Sequence, residues 1–267
     1  MITRRLSKYT AVFQGALLSN LAYVWDIVFR SLFLIVVIFV FVQLWQLTYK
    51  VTGANEVAGF TLPQIIWYLV ITETIVLSKP RLAGIIDSEV KSGDLAYRLN
   101  KPYNYVIYHY FSNLGETSIR FLVNLIIGAA VALVTVGPIP LRAAMIPAFL
   151  VVAVLGLSLD FALTAAIGLL AFWVEDTAGF DLIYKRMTMI LGGMLIPLEV
   201  FPDWLRGVAE SLPLHHIVYQ PARLFVHYDP GSLGYLLGQQ VVWLAVAWAL
   251  LALVYSLGVK RVNVNGG

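Results

Sequence analysis

Long apolar blocks separated by short polar stretches dominate the chain. Residues 27–47, 65–77, 119–136, 145–173, 187–197 and 233–258 are almost wholly apolar. A helix needs about 20 such residues to cross a hydrocarbon core, so the pattern predicts six spans. The second and fifth blocks are short and reach that length only by recruiting the flanks 63–69 and 180–184. Four spans with two buried or re-entrant segments is the alternative.

Ahead of the first block, Ile2, Leu6, Tyr9, Phe13 and Leu17 recur at spacings of three and four, with Arg4, Arg5 and Lys8 off that stripe. The spacing predicts an amphipathic helix over residues 1–20, lying in the interface with its basic face on anionic headgroups. A basic flank continuous with the first span would look similar. The fourth span, read as 142–173, is 32 residues long. At 1.5 Å per residue it would reach about 48 Å against a hydrocarbon core of about 30 Å. Tilt, protrusion or a bend at Pro147, Gly156 or Ser158 is therefore expected.

The stretch 136–142, between the third and fourth spans, is short enough to make them an antiparallel hairpin. Between the fifth and sixth blocks, Phe201, Leu205, Val208 and Leu212 share one face of a short helix, and Ile217, Leu224 and Phe225 form a second apolar set. Two short amphipathic helices at the outer interface are expected over residues 197–232. Gly192, Gly193 and Pro197 would let the fifth span turn inside the outer leaflet, where broken backbone must be buried in protein or line a wet cavity.

Composition supports the membrane reading. Of 267 residues, 60% are hydrophobic and 12% charged, with a mean hydropathy of +0.82. A typical soluble domain has about a quarter charged residues. Basic residues crowd one side: Arg4, Arg5, Lys8 and Arg30, then Lys79, Arg81, Lys91, Arg98 and Lys101, then Lys185, Arg186, Lys260 and Arg261. The positive-inside rule makes that side, and both termini, cytoplasmic. The basic pI then reflects topology, and no nucleic-acid partner is implied. Without cysteine there are no disulfides or thiolate metal sites, and no cleaved signal peptide is expected.

No phosphate-binding loop, nucleophile elbow or zinc pair occurs. His215 and His216 are adjacent, so on a helix they diverge by about 100° instead of meeting at one metal. Four ionisable residues fall in or near apolar blocks: Glu73, Glu116, Arg120 and Asp160. Each would cost about 2.5–3.5 kcal/mol unpartnered at mid-depth. Glu116 and Arg120 stand four apart in the favourable order and are expected to pair, with Glu73 joining them. A proton relay is the functional reading of that cluster and structural pairing the other. Asp160 is either a polar point on a cavity wall or a helix–helix hydrogen bond.

Residues 81–104 interrupt this apolar chain. Leu82, Ile85, Ile86 and Val90 lie on one face of a helix and Asp87, Glu89 and Lys91 on the other. Gly93 breaks it, Asp94 opens a second short helix, and Lys101-Pro102 ends that one. A folded cytoplasmic knuckle results. A Glu followed by Ser-Gly-Asp-Leu, a Leu-Asn-Lys-Pro step and an aromatic run into the third span resembles the loop between the second and third spans of type-2 ABC transporter permeases. The late segment from Phe201-Pro202 through Leu212-Pro213 to Phe225 resembles the external segment of the same family.

The resemblance implies an all-α integral membrane fold. It would have six transmembrane helices, an N-terminal interface helix, a cytoplasmic coupling helix and short external re-entrant helices in a single permease domain, residues 1–267. It implies a permease subunit of an exporter in a bacterial cytoplasmic (inner) membrane, moving a hydrophobic or amphipathic molecule that is drug-like, cationic or lipid-like. Partners would be a second permease, identical or homologous, two copies of an ABC ATPase subunit that carry the ATP and Mg, and membrane lipid. This chain would hold no cofactor, metal or catalytic group. The ATPase-coupling element would comprise Glu89, Lys91, Asp94, Leu95, Arg98, Leu99, Lys101 and Pro102, with a smaller contact from residues 172–181 and Lys185-Arg186. Phe201, Pro202, Trp204, Leu212 and Pro213 would form the external gate. An ion-coupled secondary transporter using the intramembrane carboxylates is the alternative. It leaves the knuckle unexplained and lacks an internal repeat.

Overall fold

The computed structural model describes residues 2–265, with side chains over 7–261. The Ile2, Leu6, Arg4 and Arg5 side chains of the expected interface stripe lie outside the described residues. Among the described residues, regular structure is helical apart from one bridge between Val57 and Phe60.

Helix α1 (Ile2–Ala22) and α2 (Val24–Thr52) are separated at Tyr23. The described part of the predicted stripe, Tyr9, Phe13 and Leu17, is half-buried. It lies on α6: Tyr9 stacks on Phe111 with ring centroids 5.6 Å apart, and Phe13 and Ala16 crowd Gly115. Contact with a neighbouring helix, as well as any headgroup, therefore fixes α1. Helix α2 buries Ile27, Ser31, Leu34, Ile38, Val42 and Trp45 along a single seam. Its other face presents Phe29, Phe33, Val36 and Phe39 outward, an arrangement that suits lipid as the solvent.

Helix α3 (Leu62–Ser78) is the centre of the fold, and every residue from 65 to 75 is buried. Gln64 accepts from the Thr61 amide at 2.9 Å to cap its start, and Pro63 sits in the first turn, where no amide donor is needed. The helix stops at Lys79-Pro80-Arg81, and α4 (Leu82–Ser92) continues beyond that joint. Gly93 closes α4 at φ 81°, a left-handed conformation that glycine adopts without strain. Helix α5 (Asp94–Leu99) follows, and Asn104 caps α6 (Tyr105–Thr135) by accepting from the Ile107 amide at 3.0 Å.

Helix α7 (Met145–Leu169) runs into a 3-10 turn at Leu170–Phe172. It starts three residues later than the sequence pattern suggested and is continuous through Pro147, Gly156 and Ser158. Pro147 causes no break because it falls in the first turn, where its missing N–H has no intrahelical acceptor. Helix α8 (Ala178–Leu191) has 14 residues, about 21 Å of helix, less than a hydrocarbon core. Next come α9 (Asp203–Ser211), α10 (Tyr219–Val226) and α11 (Pro230–Asn265).

Four segments, Val24–Thr52, Tyr105–Thr135, Met145–Phe172 and Pro230–Arg261, are long and apolar enough to cross a membrane. Helix α3 with 17 residues is at the lower limit.

The segment between α8 and α11 differs from two helices resting at an interface. Only α9 is exposed. In α10, Tyr219, Pro221, Ala222 and Leu224 are buried, and its Phe225 packs on Trp67 of α3 and Phe149 of α7 with centroids 5.9 and 5.1 Å apart. The turn before it (Pro213–His216) reaches Gly156, where the His216 carbonyl would stand 2.8 Å from an added Cβ. Gly156 is eleven residues into α7, about 16 Å along that helix. The segment therefore dips deep beside α7 and climbs back out as α10.

Candidate functional site

The knuckle is held from inside by a buried carboxylate. Glu89 is 8% exposed. Its Oε1 pairs with Arg98 Nη2 at 3.1 Å, and its Oε2 accepts from Tyr105 at 2.6 Å and meets His109 Nε2 at 3.0 Å. One side chain on α4 thus ties α5 and the start of α6 together. Leu95 is 1% exposed and belongs to the same interior, and Leu99 packs against it half-buried. Neither faces outward as a docking surface would require, because the Gly93 turn folds that side of α5 back onto the bundle. The exposed face carries Lys91, Asp94, Tyr97 and Pro102. Asp94 accepts from Ser92 at 2.9 Å, Lys101 lies 4.1 Å above the Tyr97 ring, and the Pro102 carbonyl accepts from Lys8 at 3.3 Å.

Burial alone would push the Glu89 carboxyl up, but hydrogen bonds from His109 and Tyr105, and the charges of His109 and Arg98, outweigh it and hold the group below its ordinary value. A carboxylate with a depressed folded-state pKa contributes stability that is complete above its unfolded value of about 4.3 and is lost as pH falls through the lower folded value. Hydrogen exchange of the α4 and α5 amides should therefore be slow at neutral pH and accelerate only below the ordinary carboxylate range. Glu89→Gln should remove that acid-dependent step and weaken protection at pH 7 by about 2 kcal/mol, the scale of a hydrogen bond to a charged group. Unchanged protection in the variant at both pH values would mean that the knuckle does not depend on this charge.

The connection between α7 and α8 is latched to the knuckle. Asp87 Oδ1 accepts from the Thr177 hydroxyl at 2.8 Å and from its amide at 3.3 Å, while Oδ2 pairs with Lys91 at 2.6 Å. Lys91 also reaches Asp176 at 3.6 Å. Thr177 immediately precedes α8, so α4 grips the start of that helix. Along its apolar face α4 lies on α7, with Leu82, Ala83 and Ile86 buried. Gly168 makes that approach possible: an added Cβ would stand 2.8 Å from both the Ala83 carbonyl and Ile86 Cβ.

Lys79, expected in the polar loop, is instead drawn into the bundle. Its Nζ meets Asp160 Oδ1 at 2.8 Å, and their side chains are 15% and 9% exposed. The Tyr184 hydroxyl donates to the same oxygen at 2.7 Å. Asp160 is thus both a helix–helix hydrogen bond and a point on the wall of a cavity of about 320 Å³ bounded by the α3–α4 joint, α7 and α8. Above it, the broken end of α8 hangs on α3: Tyr68 donates to the Gly193 carbonyl, and Thr72 to Met194 O at 2.8 Å. Those bonds satisfy carbonyls of the non-helical chain that follows α8.

Glu116 and Arg120 pair on one face of α6 as expected. Glu73 does not join them. It is 4% exposed on α3, and no hydrogen bond or ion pair links its side chain to another described residue. Arg120 lines a small cleft with Asp26, Arg30 and Ser31 of α2, where Arg30 pairs with Asp26 at 2.9 Å. Ser31 donates to Asn124 Oδ1 at 2.6 Å within that cleft.

At the other end, Phe201 is buried, Leu212 and Pro213 are half-buried, and Pro202 and Trp204 are exposed, Trp204 at 71%. Behind them Glu199 Oε1 accepts from Tyr219 at 2.6 Å and from Arg223 Nε at 2.8 Å. Glu199 and Arg223 line a vestibule of about 640 Å³ with Arg142, His227 and Asp229. Among the described residues no group of His and acidic side chains has the arrangement of a metal site.

Apolar helices exposed on their outer faces, around an interior that carries paired charges, define a multi-pass membrane protein. The family model described as ABC-2 family transporter protein matches residues 32–266, and the chain belongs to that family. It is therefore the membrane subunit of an ABC transporter, itself not catalytic, and partnership with an ABC ATPase follows from the family. No curated protein matches the chain.

Proposed function

We propose that the chain is the permease half of an ATP-driven exporter in a bacterial cytoplasmic membrane, paired with a second permease and served by two ATPase subunits. In this reading α2, α3 with α4, α6, α7, α8 with its re-entrant end, and α11 make six crossings, with both termini cytoplasmic. Helices α4 and α5 receive the ATPase, and the segment 197–232 closes the outer end. The cargo is a hydrophobic or amphipathic molecule.

The observation that carries this reading is the cross-linking of the knuckle to α6 and α8. A push on the exposed face of α5 is passed through the Glu89 knot and the Asp87–Thr177 latch to α6 and α8, because each link is a short, buried or charge-assisted bond. A mobile loop would dissipate the same push. The ion-coupled alternative fits less well, since Asp160 and Glu116 are both committed to ion pairs and only Glu73 of its three carboxylates is left.

The test is co-purification with the ATPase subunit and measurement of its activity. Tyr97 is 65% exposed, so Tyr97→Asp should leave the permease folded yet lower ATPase retention or stimulated hydrolysis at least tenfold. Leu95→Asp places a charge among buried side chains, which costs several kcal/mol, so it should lower permease stability as well. Wild-type retention and stimulation in Tyr97→Asp would remove α5 as the docking element, and transport driven by a proton gradient without an ATPase would overturn the exporter reading.

A further inference from the structure

The cavity beside the α3–α4 joint carries more positive charge than its carboxylates neutralise. Lys79 is paired with Asp160, and Lys185 with Asp181 at 2.5 Å. Arg81 and Arg186 also line the cavity. Both are exposed, and neither has an acidic partner among the described residues. They come from different elements, one from the joint and one from α8, and line the same cavity. Deeper in, the wall turns apolar with Val76, Met189 and Met194. Methionine side chains are flexible enough to pack against chains of varied shape. Thr188, 2% exposed, lines the same space beside Tyr184.

The level of the site along the bundle fits an amphiphile. Asp160 is fifteen residues into α7, about 22 Å along the helix from Met145. Arg81 and Arg186 lie at the cavity's basic end, on the side where positive-inside charge places the cytoplasm. Met194 lies at the opposite end, where α8 breaks off.

We propose that this cavity binds an anionic amphiphile, a molecule with a phosphate or carboxylate head seated between Arg81 and Arg186 and an apolar chain running along Met189 toward Met194. The inference deepens the function proposed above by giving the cargo, or a lipid that occupies its route, a negative charge. This narrows the drug-like, cationic or lipid-like range suggested by the sequence. A guanidinium pair suits such a head because each arginine presents planar donors to anionic oxygens.

Binding is measured on the purified full chain with no ATPase present, so a failure here is separate from a failure of the exporter reading. Dodecyl phosphate should bind at least tenfold more tightly than dodecyltrimethylammonium, which has the same chain and the opposite charge. Arg81→Gln with Arg186→Gln should erase that preference. Unfolding in the absence of ligand should stay unchanged, because neither side chain holds a structural ion pair. The Lys variants at both positions should retain most of the preference.

Inorganic phosphate should compete weakly, since it lacks the chain. Native mass spectrometry from nanodiscs then identifies the source. Phosphatidylglycerol retained in an Arg81- and Arg186-dependent way marks a lipid site, and dodecyl phosphate binding without such retention marks a site for a transported solute. Equal binding of the two dodecyl compounds, equal binding of inorganic and dodecyl phosphate, or an undiminished preference in the double Gln variant would overturn the proposal.

Discussion

Asp160→Ala should lower the stability of the purified protein by about 3–5 kcal/mol, the usual cost of stranding one member of a buried ion pair. The variant leaves the Lys79 ammonium without its carboxylate and the Tyr184 hydroxyl without its acceptor, all within the bundle. The measurement is a thermal unfolding curve in detergent. The double variant Lys79→Met with Asp160→Leu should recover more than half of the loss, since removing both charges also removes the desolvation that the pair has to offset. A single variant that melts with wild type would show that water or lipid replaces the partner at no cost. A double variant no better than the single would show that the carboxylate has a role apart from Lys79.

Gly168→Leu should separate α4 from α7. The Cβ would press on the Ala83 carbonyl and on Ile86 Cβ at 2.8 Å, and a backbone carbonyl cannot swing aside as a flexible side-chain end can. Overpacking of this kind costs about 1–3 kcal/mol, which a bundle of this size can survive. The larger effect should be on coupling. Insertion and expression stay near normal, while α4 amides exchange at least tenfold faster and stimulation of the associated ATPase is lost. Gly84→Leu is the control, because a Cβ there meets nothing within 4 Å. Equal behaviour of the two variants would mean that the α4–α7 seat transmits nothing.

The sequence made the helical membrane architecture legible because long apolar blocks have few alternatives. The Gly93 break, the Lys101-Pro102 turn and the Glu116–Arg120 pair were legible because each depends on neighbours within a few residues. Lys79 was misplaced for the opposite reason. A charge beside a proline reads locally as the end of a span, whereas its partner, Asp160, lies 81 residues away, and only tertiary packing reveals that the joint falls beside the body of α7. Glu89 was assigned to the polar face of an amphipathic helix. That face is polar because it is cross-linked to Arg98, Tyr105 and His109, and residue type alone does not distinguish an internal knot from a solvated surface. The periodicity of the 197–232 segment left its depth open, and only the family resemblance implied re-entrant helices there. The apolar face of α10 suits either an interface or a core, and its stacking on Trp67 and Phe149 decides in favour of the core.

The Asp87–Thr177 latch joins two connections 90 residues apart in sequence. The chain contains no cysteine, so thiols introduced at the exposed Ser88 and Glu175, which flank the latch, would be the only ones in the protein. Spin labels or a dye pair attached there to the purified permease, before its ATPase is added, would report the opening and closing of the latch through a nucleotide cycle with no competing thiol from this chain.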